Sequence, residues 1–208
     1  MTPTDTTQMA RDERDEFAAF LEGLTPEQWN SPTLCERWRV RDVAIHTVSY
    51  DELDTKGLVT RFLKGRLSTD RINAICVADY TDRSPEQIVA MIRANTEPHG
   101  LTAGFGGRIA LTDGMIHQQD IRRPLDIPRT IEPERLRTAL DFARYAPTIR
   151  GAWRARGVRL VATDLDWAYG KGPEVRGSGE ALLMVMAGRR AALDDLDGAG
   201  KAKLAQHI

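Results

Sequence analysis

"LTDGMIHQQDIRRPL", residues 111–125, sets an acid and a histidine four places apart, then runs into Asp-Ile-Arg-Arg-Pro-Leu. With the preceding Arg-Ile-Ala it reads as one helix ended by Pro124, because proline has no N–H to donate and its ring clashes with the preceding turn. Residues four apart on a helix project side by side, about 6 Å apart at their Cβ atoms. Asp113 and His117 therefore share one helical face, and Asp120 follows one turn later. The rest of the chain has to say what that face meets.

Upstream, "RDERDEFAAFLEGL" places Phe17, Phe20, Leu21 and Leu24 at the spacing of an amphipathic helix. "LTPEQW" reads as a helix start: Thr25 caps, Pro26 takes the first position, and Gln28 reaches back as a capping-box partner. A turn-rich "NSPTLCERW" follows. "RVRDVAIHTVSYDELDTKGLVTRFLKG", residues 39–65, is expected to be one long helix that stops at Gly65. "SPEQIVAMIRANTE" is the third helix, capped by Ser84 with Pro85 at its first position. "PHGLTAGFGG" is a glycine-rich loop. It is not a phosphate loop, because no Gly-Lys-Ser/Thr follows Gly104, Gly106 and Gly107. Four such helical segments with short or moderate connections predict a mainly α protein built on a four-helix bundle.

Further along, "EPERLRTALDFARYAP" adds a helix, and the texture then changes. "VRLVATDLDWAYGKGPEVRGSG" holds β-rich runs broken by glycine turns, and "EALLMVMAGRRAALDDL" is helical again. The expected division is a helical bundle over residues 1–147 and a small α/β domain over 148–208.

Composition narrows the classes. Apolar residues make up 41% and charged residues 28% of the 208, which argues for a globular chain rather than a disordered one. A net charge of -1, with no basic run interleaved with aromatics, argues against nucleic acid as a partner. No apolar run approaches the roughly 18 residues of a membrane span. "MTPTDTTQMARDERDEF" lacks the apolar core of a signal peptide. Two cysteines, Cys35 and Cys76, are too few for a disulfide framework. The expected setting is the cytoplasm.

Of four histidines, His46 and His117 lie inside apolar helices, whereas His99 sits in a Pro-His-Gly loop and His207 is next to last. A carboxylate and an imidazole at i and i+4 suit a single ion bound at roughly 2.0–2.2 Å. A histidine from a facing helix would complete three protein ligands with one position open, the pattern of catalytic zinc. Asp120 would then hold the other imidazole nitrogen. The same pair also makes ordinary helical hydrogen bonds, and a buried histidine is often a satisfied core group, so spacing alone leaves both readings open.

Three motifs carry a resemblance. "SPTLCERWRVRDVAIHTV" is similar to the entry into helix two of the DinB-like metalloproteins, specifically the mycothiol-dependent maleylpyruvate isomerase family. "DGMIHQQDIRRPL" resembles that family's fourth-helix motif, and the tail from Val158 to Arg189 resembles its small C-terminal domain. The resemblance implies His46, Asp113 and His117 as ligands of a divalent metal, most simply Zn2+, with mycothiol as thiol cosubstrate. It implies Arg189 as the catalytic arginine holding a substrate carboxylate, with adjacent Arg190 leaving the register open by one. The family's acid is usually glutamate, and the shorter Asp113 is a departure. Arg71 and Arg122 are further candidates for thiol or substrate binding, although Arg122 at a helix end also suits the helix dipole.

The implied function is metal- and thiol-dependent cis–trans isomerisation of a maleylpyruvate-like substrate, or transfer of the thiol to an electrophile. The alternative is a non-catalytic metal- or ligand-binding protein of the same fold. Expected partners are a small-molecule thiol and a small electrophilic or carboxylate substrate, with the chain a monomer or homodimer. Cys35 has no base near it in sequence and reads, like Cys76, as a packing residue. Trp38 reads as an anchor of the bundle.

Overall fold

A computed structural model describes residues 5–66 and 68–208; the first four residues of the N-terminal stretch read above lie outside it. The chain divides into two units, Met1–Pro128 and Arg129–Ile208.

The first unit is helical: α1 (Thr6–Glu22), α2 (Pro26–Trp29), α3 (Val40–Ser49), α4 (Thr55–Lys64), α5 (Thr69–Ala78), α6 (Pro85–Ala94) and α7 (Arg108–Arg122). The local signals act as the sequence suggests. Thr25 and Gln28 form a reciprocal capping box at α2, and Ser84 and Gln87 do the same at α6. Gly65 ends α4, and α7 stops short of Pro124. Gly107 starts α7 with φ +83, where a Cβ would also press to 3.2 Å from the Thr7 Cα.

The bundle proper is α1, α3, α6 and α7, with α1 against α6 and α7, and α3 against both of these. Phe17, Leu21, Val43, Ile45, Ile88, Ile92 and Ile121 fill its centre. Each such side chain contributes about 1.5–3 kcal/mol on burial. One or two losses there would be felt.

The expected long helix over 39–65 is two helices. Tyr50–Asp54 separates them for a physical reason. Asp51 turns inward, where its carboxylate takes Arg14 Nη2 at 2.8 Å, Thr102 Oγ1 at 2.5 Å and the His99 N–H at 3.1 Å. A buried carboxylate with that many donors outweighs one more helical turn. Asp54 then caps the new helix by accepting the Gly57 N–H at 2.6 Å. Helix α5 was not expected at all; it packs on α3 and α4.

The second unit holds α8 (Pro133–Ala143), α9 (Gly151–Arg154), strands β1 (Arg159–Ala162), β2 (Ala168–Gly170) and β3 (Glu174–Gly177), α10 (Gly179–Met186), a 3-10 turn over Arg190–Asp195, and α11 (Lys201–Ala205). The sheet order is β2-β1-β3. Leu160 pairs with Tyr169 in the antiparallel half and with Val175 in the parallel half. The strands flanking the Gly-Lys-Gly-Pro turn are therefore not neighbours. The division falls after Pro128 rather than near Pro147, because α8 packs on α10. Leu136, Ala139, Leu140 and Ala143 supply the buried side of α8, and Ala181–Met186 is buried throughout. Trp167 Nε1 ties the hairpin to α8 by donating to Asp141 Oδ1 at 3.0 Å. The architecture is thus a helical bundle followed in the chain by a small α/β unit.

Candidate metal centre

The crossing of α3 and α7 brings three donors together. His46, on α3, and His117, on α7, meet edge-on at 85° with ring centroids 4.8 Å apart. Asp113 stands between them: Oδ1 lies 3.5 Å from His117 Nε2 and Oδ2 lies 4.0 Å from His46 Nε2. One donor atom from each residue fits within 4.8 Å of the others. Tetrahedral ligands at zinc distances stand about 3.4 Å apart, so the Asp113–His117 edge is near that value and the others need a modest contraction. Two imidazoles and a carboxylate make a donor set of the kind zinc takes in open, three-ligand sites. The shorter side chain of Asp113 still reaches both histidines.

Access is one-sided. The two histidines are buried, whereas the Asp113 side chain is 42% exposed. Trp38 closes another side, with its ring 4.8 Å from His46 and 6.4 Å from His117. Tyr50, one turn after His46, presents its ring edge-on at 6.0 Å and donates its hydroxyl to Asn73 Oδ1 at 2.6 Å. Burial, reinforced by Cys76 and Asp113, pushes the Tyr50 phenol above its ordinary value, so it stays a donor.

Behind the site, Asp120 is fully buried and its Oδ2 lies 2.9 Å from His117 Nδ1. A carboxylate only accepts, so Nδ1 carries the proton and Nε2 turns toward Asp113. Burial acts to lower the His117 pKa, but the charge of Asp113, then the hydrogen bonds His117 makes with Asp120 and Cys35, outweigh it and push it up to about 10. A field that holds a proton so firmly also favours a cation in its place.

His46, Asp113, His117 and Asp120 are thus one cluster in the structure. The other two candidates of the first unit, Arg122 and Arg71, are not part of it. Arg122 lies over the Phe20 ring at 3.8 Å and donates Nε to Gln118 Oε1 at 2.8 Å, which are bundle contacts. Arg71 is an exposed residue of α5. Arg189 and Arg190 lie in the second unit, where Arg189 Nη1 donates to the Ala187 carbonyl at 2.8 Å and Arg190 Nη1 to that of Ile208 at 3.1 Å. Sequence reasoning missed Cys35, whose Sγ lies 3.2 Å from Asp120 Oδ2 and 3.8 Å from His117 Nδ1. No spacing rule links residues 85 positions apart. The Pro-Thr-x-Cys turn before Trp38 was the one signal, and it read as packing.

A helical bundle carrying two histidines and an acid on facing helices, with a small α/β unit after it in the chain, is the arrangement that the sequence resemblance implies. Residues 10–97 match the family model of the mycothiol maleylpyruvate isomerase N-terminal domain. The fold is similar to crystal structures of a mycothiol-dependent maleylpyruvate isomerase and of its histidine-to-alanine mutant. Each has a TM-score of 0.56 at 14% identity, over 94% of this chain and 92% of the other. No curated protein sequence matches. Together these bear out the resemblance to the mycothiol-dependent maleylpyruvate isomerase family.

Proposed function

We propose that this protein is a metal-dependent enzyme that uses a low-molecular-weight thiol, mycothiol in the family's case, to isomerise a maleylpyruvate-like cis double bond or to transfer the thiol to an electrophile. The observation that carries the reading is the convergence of His46, Asp113 and His117 on one open-sided point. A divalent ion held there, most simply zinc, would supply Lewis acidity that makes a thiolate available at neutral pH.

The protein's own residues have separate tasks. His46 and His117 would each give an imidazole nitrogen to the ion, displacing any proton there, and Asp113 would offset the ion's charge from the solvent side. Asp120 accepts the His117 Nδ1 proton, which leaves Nε2 as the nitrogen that would hold an ion. Trp38 limits water on one flank. For isomerisation, a thiolate adds to the conjugated cis double bond, rotation follows about the resulting single bond, and expulsion of the thiolate gives the trans product. For transfer, the thiolate attacks an electrophile and stays attached. Arg189 enters by resemblance as the group that holds a substrate carboxylate through a two-pronged contact.

The test is a thiol-dependent turnover panel on the metal-loaded protein, with maleylpyruvate-like cis-diacids and small electrophiles. Turnover that needs both thiol and metal supports the reading. A stoichiometric metal with no turnover across the panel would point to the non-catalytic binding protein, which Asp113 in place of glutamate favours.

A further inference from the structure

The mechanism above leaves the Cys35 side chain without a task, and its surroundings supply one. Cys35 is half-buried in the turn between α2 and α3, and its thiol donates to the same oxygen, Asp120 Oδ2, that accepts the His117 Nδ1 proton. The turn grips Asp120 a second time, since the Leu34 N–H donates to the Asp120 carbonyl at 3.0 Å. Thr33 stiffens the turn: its Oγ1 accepts the Cys35 N–H at 3.1 Å and donates to the Trp38 carbonyl at 2.9 Å. Trp38 in turn lies against His46. One ten-residue turn therefore touches the rear of His117 and the flank of His46 together.

We propose that Cys35 is a positioning residue of the metal centre, acting through Asp120 to hold the His117 ring with Nε2 aimed at Asp113 and His46. A buried aspartate whose Oδ2 takes two donors, the Cys35 thiol at 3.2 Å and His117 Nδ1 at 2.9 Å, has less freedom to rotate about its side-chain bonds than one whose Oδ2 takes a single donor. Groups that orient a metal-binding histidine in this way typically change metal affinity about 10–100-fold when removed. The inference rests on the metal reading proposed above, but its geometry is present in the chain without an ion.

Two readouts on the full-length chain separate the failures. The first needs no metal: the His117 Nδ1–H proton, seen by nitrogen-15 NMR in chelator-treated protein, should exchange slowly in the wild type. It should exchange faster in Cys35→Ala and Cys35→Val, and slowly again in Cys35→Ser, which restores a donor. The second is Co2+ affinity, followed by its visible absorption. It should fall about tenfold in Cys35→Ala and recover in Cys35→Ser. In an Asp120→Asn background, Cys35→Ala should cost less than about twofold more, because the partner it acts through is gone. Circular dichroism checks that each variant folds, and Cys35→Val keeps the volume filled should the alanine variant not fold. Unchanged proton exchange in both Cys35→Ala and Cys35→Val, or losses that simply add in the double variant, would overturn the proposal. A wild type that binds no Co2+ would sink the metal reading, and the exchange measurement would still decide the role of Cys35.

Discussion

Asp113→Asn keeps the shape of the side chain and removes its charge, so it isolates what the carboxylate contributes to metal binding. The carboxylate oxygens lie 3.5 and 4.0 Å from the two histidine nitrogens, so an ion held by all three would sit between them. For an ion at a ligand distance of about 2.1 Å and an effective dielectric constant of about 20, a unit charge gains about 8 kcal/mol. The side chain is 42% exposed, so solvent screening cuts that by about half. A divalent ion doubles the remainder, to about 8 kcal/mol, which sets an upper limit of about a millionfold in Kd because the asparagine Oδ1 can still coordinate. Competition titration against a chromophoric chelator at pH 7.5 measures it. Asp113→Glu, which restores the family's usual residue and keeps the charge, should stay within about tenfold of the wild type. An Asp113→Asn variant within about threefold of the wild type would refute the assignment of Asp113 as a ligand.

Purified protein, free of any added tag, should carry about one divalent ion per chain by elemental analysis, and His46→Ala should lose it while keeping its helical circular dichroism, because the core of α1, α3, α6 and α7 is apolar and independent of the ion. The metal-free protein should be pH-sensitive through His117, whose folded pKa of about 10 lies above the ordinary value of 6.5. The stability this contributes is fully present below about pH 6.5 and is lost as pH rises through about 10. The Tm of chelator-treated protein should therefore fall between pH 7 and 10.5 more steeply than that of His117→Gln; identical slopes would count against the raised pKa. Arg189→Lys should retain the metal yet lose thiol-dependent turnover of a carboxylate substrate, since lysine offers no two-pronged contact. If Arg190→Lys is the inactive variant instead, the functional arginine is one residue further on.

What the sequence determined by itself was local. Hydrophobic spacing and caps such as Thr25–Gln28 and Ser84–Gln87 depend on residues within one turn of each other, and the structure uses both as written. The Asp113/His117 pair and the place of Asp120 follow from the helical repeat alone. The break between α3 and α4 was not legible, because it depends on Arg14, His99 and Thr102 reaching Asp51 from other segments. The assignment of α8 to the second unit is likewise a matter of which face it meets, and its own sequence does not state that. The pairing of β1 with β3, over an intervening strand, is set by the sheet and not by the turn. Cys35 makes the point most sharply: its meaning lies in an oxygen 85 residues away, held 3.2 Å from its sulfur by packing that no short stretch of the chain encodes. Spacing along a helix fixes neighbours on that helix, and only the folded chain decides what stands behind them.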